Sequence, residues 1–61
     1  MTKREKEVIK DLYQGLSRTE IATSQDISVN TVKMVIYKIC DKLHVNSVDD
    51  MIRKASELEI I

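Results

Sequence analysis

Three patterns of a hydroxyl residue followed three positions later by a carboxylate divide this 61-residue chain. The pairs are Thr2 and Glu5, Ser17 and Glu20, and Ser47 and Asp50. In each pair the two side chains can satisfy backbone donors at the start of a helix. Three helix starts in so short a chain, with one Gly and no Pro, leave little room for strands. The pattern therefore predicts an all-α fold.

Turn residues set the boundaries of the predicted helices. Gly15 tolerates a left-handed backbone and follows an apolar stripe, so it ends the first helix. The polar run to Asp26 separates the second helix from a third, which Ser28 caps and His44 ends. The predicted helices cover about residues 3–14, 18–24, 29–43 and 48–58. We expect one four-helix, bundle-like domain over residues 1–61.

Composition excludes several classes of protein. The net charge is zero, so no general basic surface marks a nucleic-acid binder. One Cys and one His cannot complete a metal site, and the chain has no nucleophile–base set or phosphate-binding Gly loop. It also has no apolar run of about 18 residues and no signal segment. We expect a cytoplasmic protein with no membrane, small-molecule, cofactor, metal or catalytic site.

The third predicted helix has an unusual outer face. At about 100° per residue, its apolar residues fall within about 80° of Val32. The opposite arc displays Asn30, Lys33, Met34 and Tyr37 instead of the usual Glu and Lys pairs. Hydrogen-bond donors beside thioether and phenol groups suit the base edges of a DNA major groove. An ordinary solvated face is an equal alternative on this pattern alone.

The spacing before this helix favours DNA binding. Ala22 lies ten residues before Val32, with Asp26 between them. This arrangement is typical of a helix-turn-helix, because a small residue allows close approach and a β-branched residue fills the crossing.

The chain resembles the LuxR-type, or GerE-type, DNA-binding domains of bacterial transcription regulators. The elements RE…EV, G-x-S, EIA, IS-x-x-TVK and KL-x-V occur in order and without gaps in MTKREKEVIKDLYQGLSRTEIATSQDISVNTVKMVIYKICDKLHV. Gln25 stands where the family prefers Leu, Val35 where it usually has His, and His44 and Glu59 where Gly is common. Region 4 of sigma factors resembles the same central motif but lacks the KL-x-V ending and such a fourth helix.

The resemblance implies sequence-specific binding to double-stranded DNA, with the third helix reading the major groove. The expected base-reading residues are Asn30, Lys33, Met34 and Tyr37. The expected phosphate contacts are Ser17, Arg18, Thr19, Ser28, Thr31 and Lys38. Charge supports this orientation, since residues 28–44 carry a net +2 and residues 45–61 a net −2. In this family the module usually follows a receiver or ligand-sensing domain, so we expect the chain to be the C-terminal part of a longer regulator. We also expect it to be associated with the nucleoid when it is bound to DNA.

The fourth predicted helix is the expected site of weak homodimerisation. It carries more apolar surface than a thin core absorbs, and the expected contact residues are Val48, Met51, Ile52 and Ala55. The alternative packs all of them inward against the first helix. RNA polymerase is a further candidate partner. Zero net charge, Val35 and an exposed Met34 motivate a second functional hypothesis, a helix-turn-helix that has become a protein–protein interaction module.

Overall fold

The computed structural model describes residues 1–60, which contain four α-helices. These are α1 (Lys3–Tyr13), α2 (Arg18–Gln25), α3 (Val29–Leu43) and α4 (Val48–Glu57). The all-α fold is confirmed, and α3 has both of its predicted ends. The other three helices each end one residue from the predicted position: α1 and α4 are one residue shorter and α2 one residue longer.

Hydroxyl side chains cap the start of every helix, as the sequence pattern predicts. The patterns before α1 and α2 form complete capping boxes, in which hydroxyl and carboxylate each accept a hydrogen bond from a backbone N–H. At α4, Ser47 Oγ accepts from the Asp50 N–H at 3.2 Å, but the Asp50 carboxylate accepts from Arg53 at 2.7 Å. The third pattern is therefore a simple cap and not a reciprocal box.

Residues with left-handed backbone separate or end the helices. Gly15 has φ 90°, Asp26 has φ 54° and His44 has φ 56°, so all three predicted turn residues adopt positive φ. Glu59, beyond the end of α4, has φ 59°. His44 and Glu59 thus adopt the left-handed conformation at the two positions where the LuxR-type family commonly has Gly, which explains that preference for Gly physically.

The core lies around α3, which packs against all three other helices. The buried apolar residues of the core are Val8, Ile9, Ile21, Ala22, Val32, Ile36, Ile39, Leu43, Met51 and Ala55. On α3 the buried residues are Val32, Ile36, Ile39 and Leu43, which recur at intervals of four, three and four. Because α3 is covered on its apolar side by the other helices, its opposite side is the surface that the fold leaves open.

Gln25 connects α2 to α1 by a hydrogen bond. Its Nε2 donates to Asp11 Oδ2 at 3.0 Å. The remaining amide oxygen is buried without a hydrogen-bond partner, which costs free energy. Where the family prefers Leu, this chain therefore has a polar link between two helices, and the unsatisfied oxygen weakens the core locally.

A buried carboxylate joins the start of α1 to the end of α3. Glu5 is 5% exposed, and its Oε1 accepts from the Thr2 N–H at 2.9 Å and from Lys42 Nζ at 2.8 Å. The hydrogen bond from Lys42, followed by the bond from the Thr2 backbone, lowers the pKa of Glu5 from 4.5 to about 2. The charged form of Glu5 is therefore part of the folded structure.

Candidate nucleic-acid interface

A tight turn joins α2 to α3 and fixes their relative orientation. Asp26 ends α2 in the left-handed conformation, and the Ile27 N–H donates to the Ala22 carbonyl at 3.0 Å. Ala22 and Val32, the two residues used to predict a helix-turn-helix, are both buried in the core. The small residue on α2 and the β-branched residue on α3 thus lie in the interior of the motif, as its packing requires.

The outer face of α3 brings together the four predicted base-reading residues. Asn30 and Lys33 are exposed, Met34 is 59% exposed and Tyr37 is 66% exposed. Two large, partly apolar side chains therefore remain in solvent beside an amide and an ammonium group. We define Asn30, Lys33, Met34 and Tyr37 as the reading face.

Val35 lies on α3 at the margin of the reading face. It is half-buried and packs against the core. The position where the family usually has His is therefore directed toward α1 and away from the centre of the reading face. It lines a surface cleft together with Arg4 and Lys38.

The predicted phosphate-binding residues are all exposed, but the two helix N-termini differ in charge. At α2 the Glu20 carboxylate accepts from the Ser17 N–H at 2.8 Å, and this hydrogen bond lowers the pKa of Glu20. At α3 the Ser28 hydroxyl accepts from the Thr31 N–H at 3.0 Å, and the first turn has no acidic residue. The first turn of α2 also carries Arg18, which offsets Glu20, whereas the first turn of α3 presents only backbone N–H groups and hydroxyls to an anion.

Basic side chains lie on both flanks of the reading face. Arg18 lines a cleft with Tyr37 and Asp41 on one flank. Lys38 lines a different cleft with Arg4 on the other flank. Arg4 is not among the residues expected to contact DNA, because a helical wheel of α3 does not show which residue of α1 lies beside it. The RE element of the family pattern was the available signal.

The four residues predicted for dimerisation do not share one exposed surface. Met51 and Ala55 are fully buried in the core, because α4 packs against α1 and α3. Val48 and Ile52 are half-buried. Burial corrects the predicted set, since only these last two can present apolar surface to a partner in this conformation. Leu58, beyond α4, is 54% exposed.

Two further properties concern residues 1–60. No three His, Cys, Asp or Glu side chains within this range are grouped so as to hold a metal ion. No helix in the same range is long and apolar enough to cross a membrane.

Cys40 is half-buried, and burial raises the pKa of its thiol.

Several known proteins resemble this chain. TmoT, a response regulator protein of Ectopseudomonas mendocina, is 37% identical over 59 residues, which are 97% of this chain and 27% of TmoT. The nitrate/nitrite response regulator protein NarP of Escherichia coli (strain K12) is 45% identical over 47 residues, 77% of this chain and 22% of NarP. The chain thus spans about a quarter of the length of these relatives.

A solved structure and a family model agree with these relatives. The crystal structure of response regulator ChrA, from a heme-sensing two component system, matches with a TM-score of 0.95 at 35% identity. The match covers 98% of this chain and 30% of ChrA. The family described as "Bacterial regulatory proteins, luxR family" matches residues 1–55. These findings confirm the resemblance drawn from the sequence motifs: the chain belongs to the luxR family of bacterial regulatory proteins.

Proposed function

We propose that this domain regulates transcription by binding double-stranded DNA in a sequence-specific way, with α3 in the major groove. The observation that carries the proposal is the reading face, where Met34 and Tyr37 remain more than half exposed beside Asn30 and Lys33. Family membership supports DNA binding as the general activity. The assignment of this face and its residues is our own.

The chemistry of the reading face suits base edges. The Lys33 ammonium can donate to guanine O6 and N7, and the Met34 thioether can contact a thymine methyl group. Asn30 can pair with adenine, and the Tyr37 hydroxyl can reach a base or a phosphate. The proposal assigns the domain no reaction of its own.

A titration with duplex DNA tests the proposal. A random-sequence duplex added at low salt should shift the backbone amide resonances of residues 28–38, and raising the salt should reverse the change. Amides of residues 10–13 of α1, which line neither cleft beside the reading face, serve as the internal control and should move little. Unchanged resonances over 28–38 would instead favour the alternative of a protein–protein interaction module, which no comparison supports.

Phosphate contacts provide a second prediction. We propose that Ser17, Arg18 and Thr19 at α2, and Ser28, Thr31 and Lys38 at α3, contact the DNA backbone and set the register. Arg18→Gln should weaken binding to all duplexes alike and reduce the magnitude of the slope of log K against log[salt] by about 0.9. Fluorescence anisotropy over a salt series measures both quantities. A loss confined to one operator sequence would contradict the assignment.

Self-association through α4 is a third prediction, now based on Val48 and Ile52. These side chains are half-buried in the single chain, so a second copy could cover what remains exposed. We expect weak dimerisation, and Ile52→Lys should abolish it. Thr23→Lys changes the charge equally at an exposed position on α2 and should leave dimerisation unchanged. Sedimentation equilibrium at rising concentration is the measurement. A strictly monomeric wild-type profile at millimolar concentration would contradict this prediction.

Two broader assignments follow from the proposed function. We propose RNA polymerase as a partner when the domain is bound upstream of a gene, and a cytoplasmic, nucleoid-associated location. A protein that reads bacterial DNA must reach the nucleoid, which supports the proposed location. Co-sedimentation of the domain, duplex and polymerase tests the first assignment.

A further inference from the structure

A cleft of about 280 Å³ lies between the first turn of α1 and one flank of α3. Arg4 lines it from α1, and Lys38 and Lys42 line it from α3. The charge of Lys42 is balanced by Glu5, whose Oε1 lies 2.8 Å from the Lys42 Nζ atom. Arg4 and Lys38 take part in neither of the two ion pairs found within residues 1–60. The cleft therefore has two positive charges that belong to no ion pair among the described residues, and Arg4 also lines a neighbouring cleft with Glu7 and Asp11.

This cleft lies beside the reading face. Lys38 follows Met34 by four residues, so their side chains are neighbours on the surface of α3. Arg18 lines the separate cleft with Tyr37 on the other flank, and the two clefts have no lining residue in common. The reading face thus has basic side chains from α2 on one side and from α1 and α3 on the other.

We propose that Arg4, together with Lys38, binds phosphates of the DNA strand opposite the strand that Arg18 contacts. The major groove is about 12 Å wide, close to the diameter of a helix with its side chains. Each flank of a helix lying in the groove therefore faces one of the two sugar–phosphate backbones. The Arg4 guanidinium can pair with phosphate oxygens through two parallel hydrogen bonds. This inference rests on the proposed function and extends the interface to α1, outside the helix-turn-helix.

Arg4→Gln tests the contact, and Lys10→Gln is the matched control. Lys10 is an exposed cation on the same helix that does not line this cleft, so its loss changes the net charge equally. We expect Arg4→Gln to weaken binding by about 3- to 10-fold on any duplex and to lower the magnitude of the salt slope by about 0.9. Lys10→Gln should change affinity by less than about 2-fold, because Lys10 does not line this cleft and salt screens an exposed charge that makes no direct contact.

Neutral methylphosphonate groups, placed in one strand at a time, identify the strand. For wild type, substitution in either strand should weaken binding. For Arg4→Gln, substitution in the strand assigned to Arg4 should cause a smaller further loss than it does for wild type, because only Lys38 of the pair still contacts that strand. Substitution in the other strand should weaken binding as much as it does for wild type. Arg18→Gln should show the reverse pattern.

Specific results would overturn the inference. Equal losses in Arg4→Gln and Lys10→Gln would indicate only a long-range charge effect. A loss in Arg4→Gln without a change in salt slope, accompanied by reduced stability in circular dichroism, would indicate a structural role. If wild type binds no duplex, the proposed function itself fails. If wild type binds and Arg4→Gln matches it, only the role of Arg4 fails.

Discussion

Lys33→Ala is expected to weaken binding to a preferred duplex by about 1 to 3 kcal/mol and to relax the preference at one base position. The reason is that Lys33 is exposed on the reading face, where its ammonium can donate to guanine O6 and N7. A G·C pair presents these acceptors in a pattern that no other base pair has in the major groove. A lost base contact removes discrimination, whereas a lost phosphate contact removes affinity on every sequence.

Selection of binding sites from a random duplex library, followed by affinity measurement, tests this expectation. Lys54→Ala is the matched control, because Lys54 is an exposed lysine on α4 and its removal changes the net charge equally. Val35→His should alter affinity less than Lys33→Ala, since Val35 packs half-buried at the margin of α3. If the Lys33→Ala protein selects the same consensus with the same stringency, the reading face does not read bases.

The sequence predicted α3 and its reading face because both depend on a single helix. The 3.6-residue period determines which side chains oppose Val32, whichever helices cover the apolar side. Ser28 and His44 likewise determine the two ends of α3 from local backbone chemistry. Met34 and Tyr37 were therefore predicted to be exposed, and they are.

Features that depend on which helices meet could not be predicted in the same way. Whether Met51 is buried or exposed depends on how α4 packs against α1 and α3, and an apolar stripe alone does not decide this. The ion pair between Glu5 and Lys42 joins residues 37 positions apart. The proximity of Arg4 to Lys38 follows from the same crossing of α1 and α3, so it appears only in the folded structure.

Glu5→Gln is expected to lower the free energy of unfolding at pH 7 by about 2 kcal/mol. The pKa of Glu5 is lowered from 4.5 to about 2, and each unit corresponds to roughly 1.4 kcal/mol. The expected loss is smaller than the product of the pKa shift and this energy per unit, because Lys42 is half exposed and solvent screens its attraction to Glu5. Gln can still complete a capping box, so the substitution removes the charge and leaves the cap in place.

The pH dependence distinguishes this ion pair from simple packing. The unfolded chain binds a proton at Glu5 near pH 4.5, whereas the folded chain resists protonation down to about pH 2. The stability contributed by Glu5 is therefore complete above about pH 4.5 and is lost as the pH falls toward 2. Wild type and Glu5→Gln should thus differ most at neutral pH and converge in acid, as measured by urea unfolding at several pH values.

Glu7→Gln is the control, because it removes an exposed carboxylate on the same helix, and it should change stability little at any pH. Because the hydrogen bond from Lys42 is the largest single cause of the lowered pKa and the bonds from Thr2 remain, Lys42→Met should reduce the same pH dependence without abolishing it. A constant difference between wild type and Glu5→Gln across the acid range would refute this account.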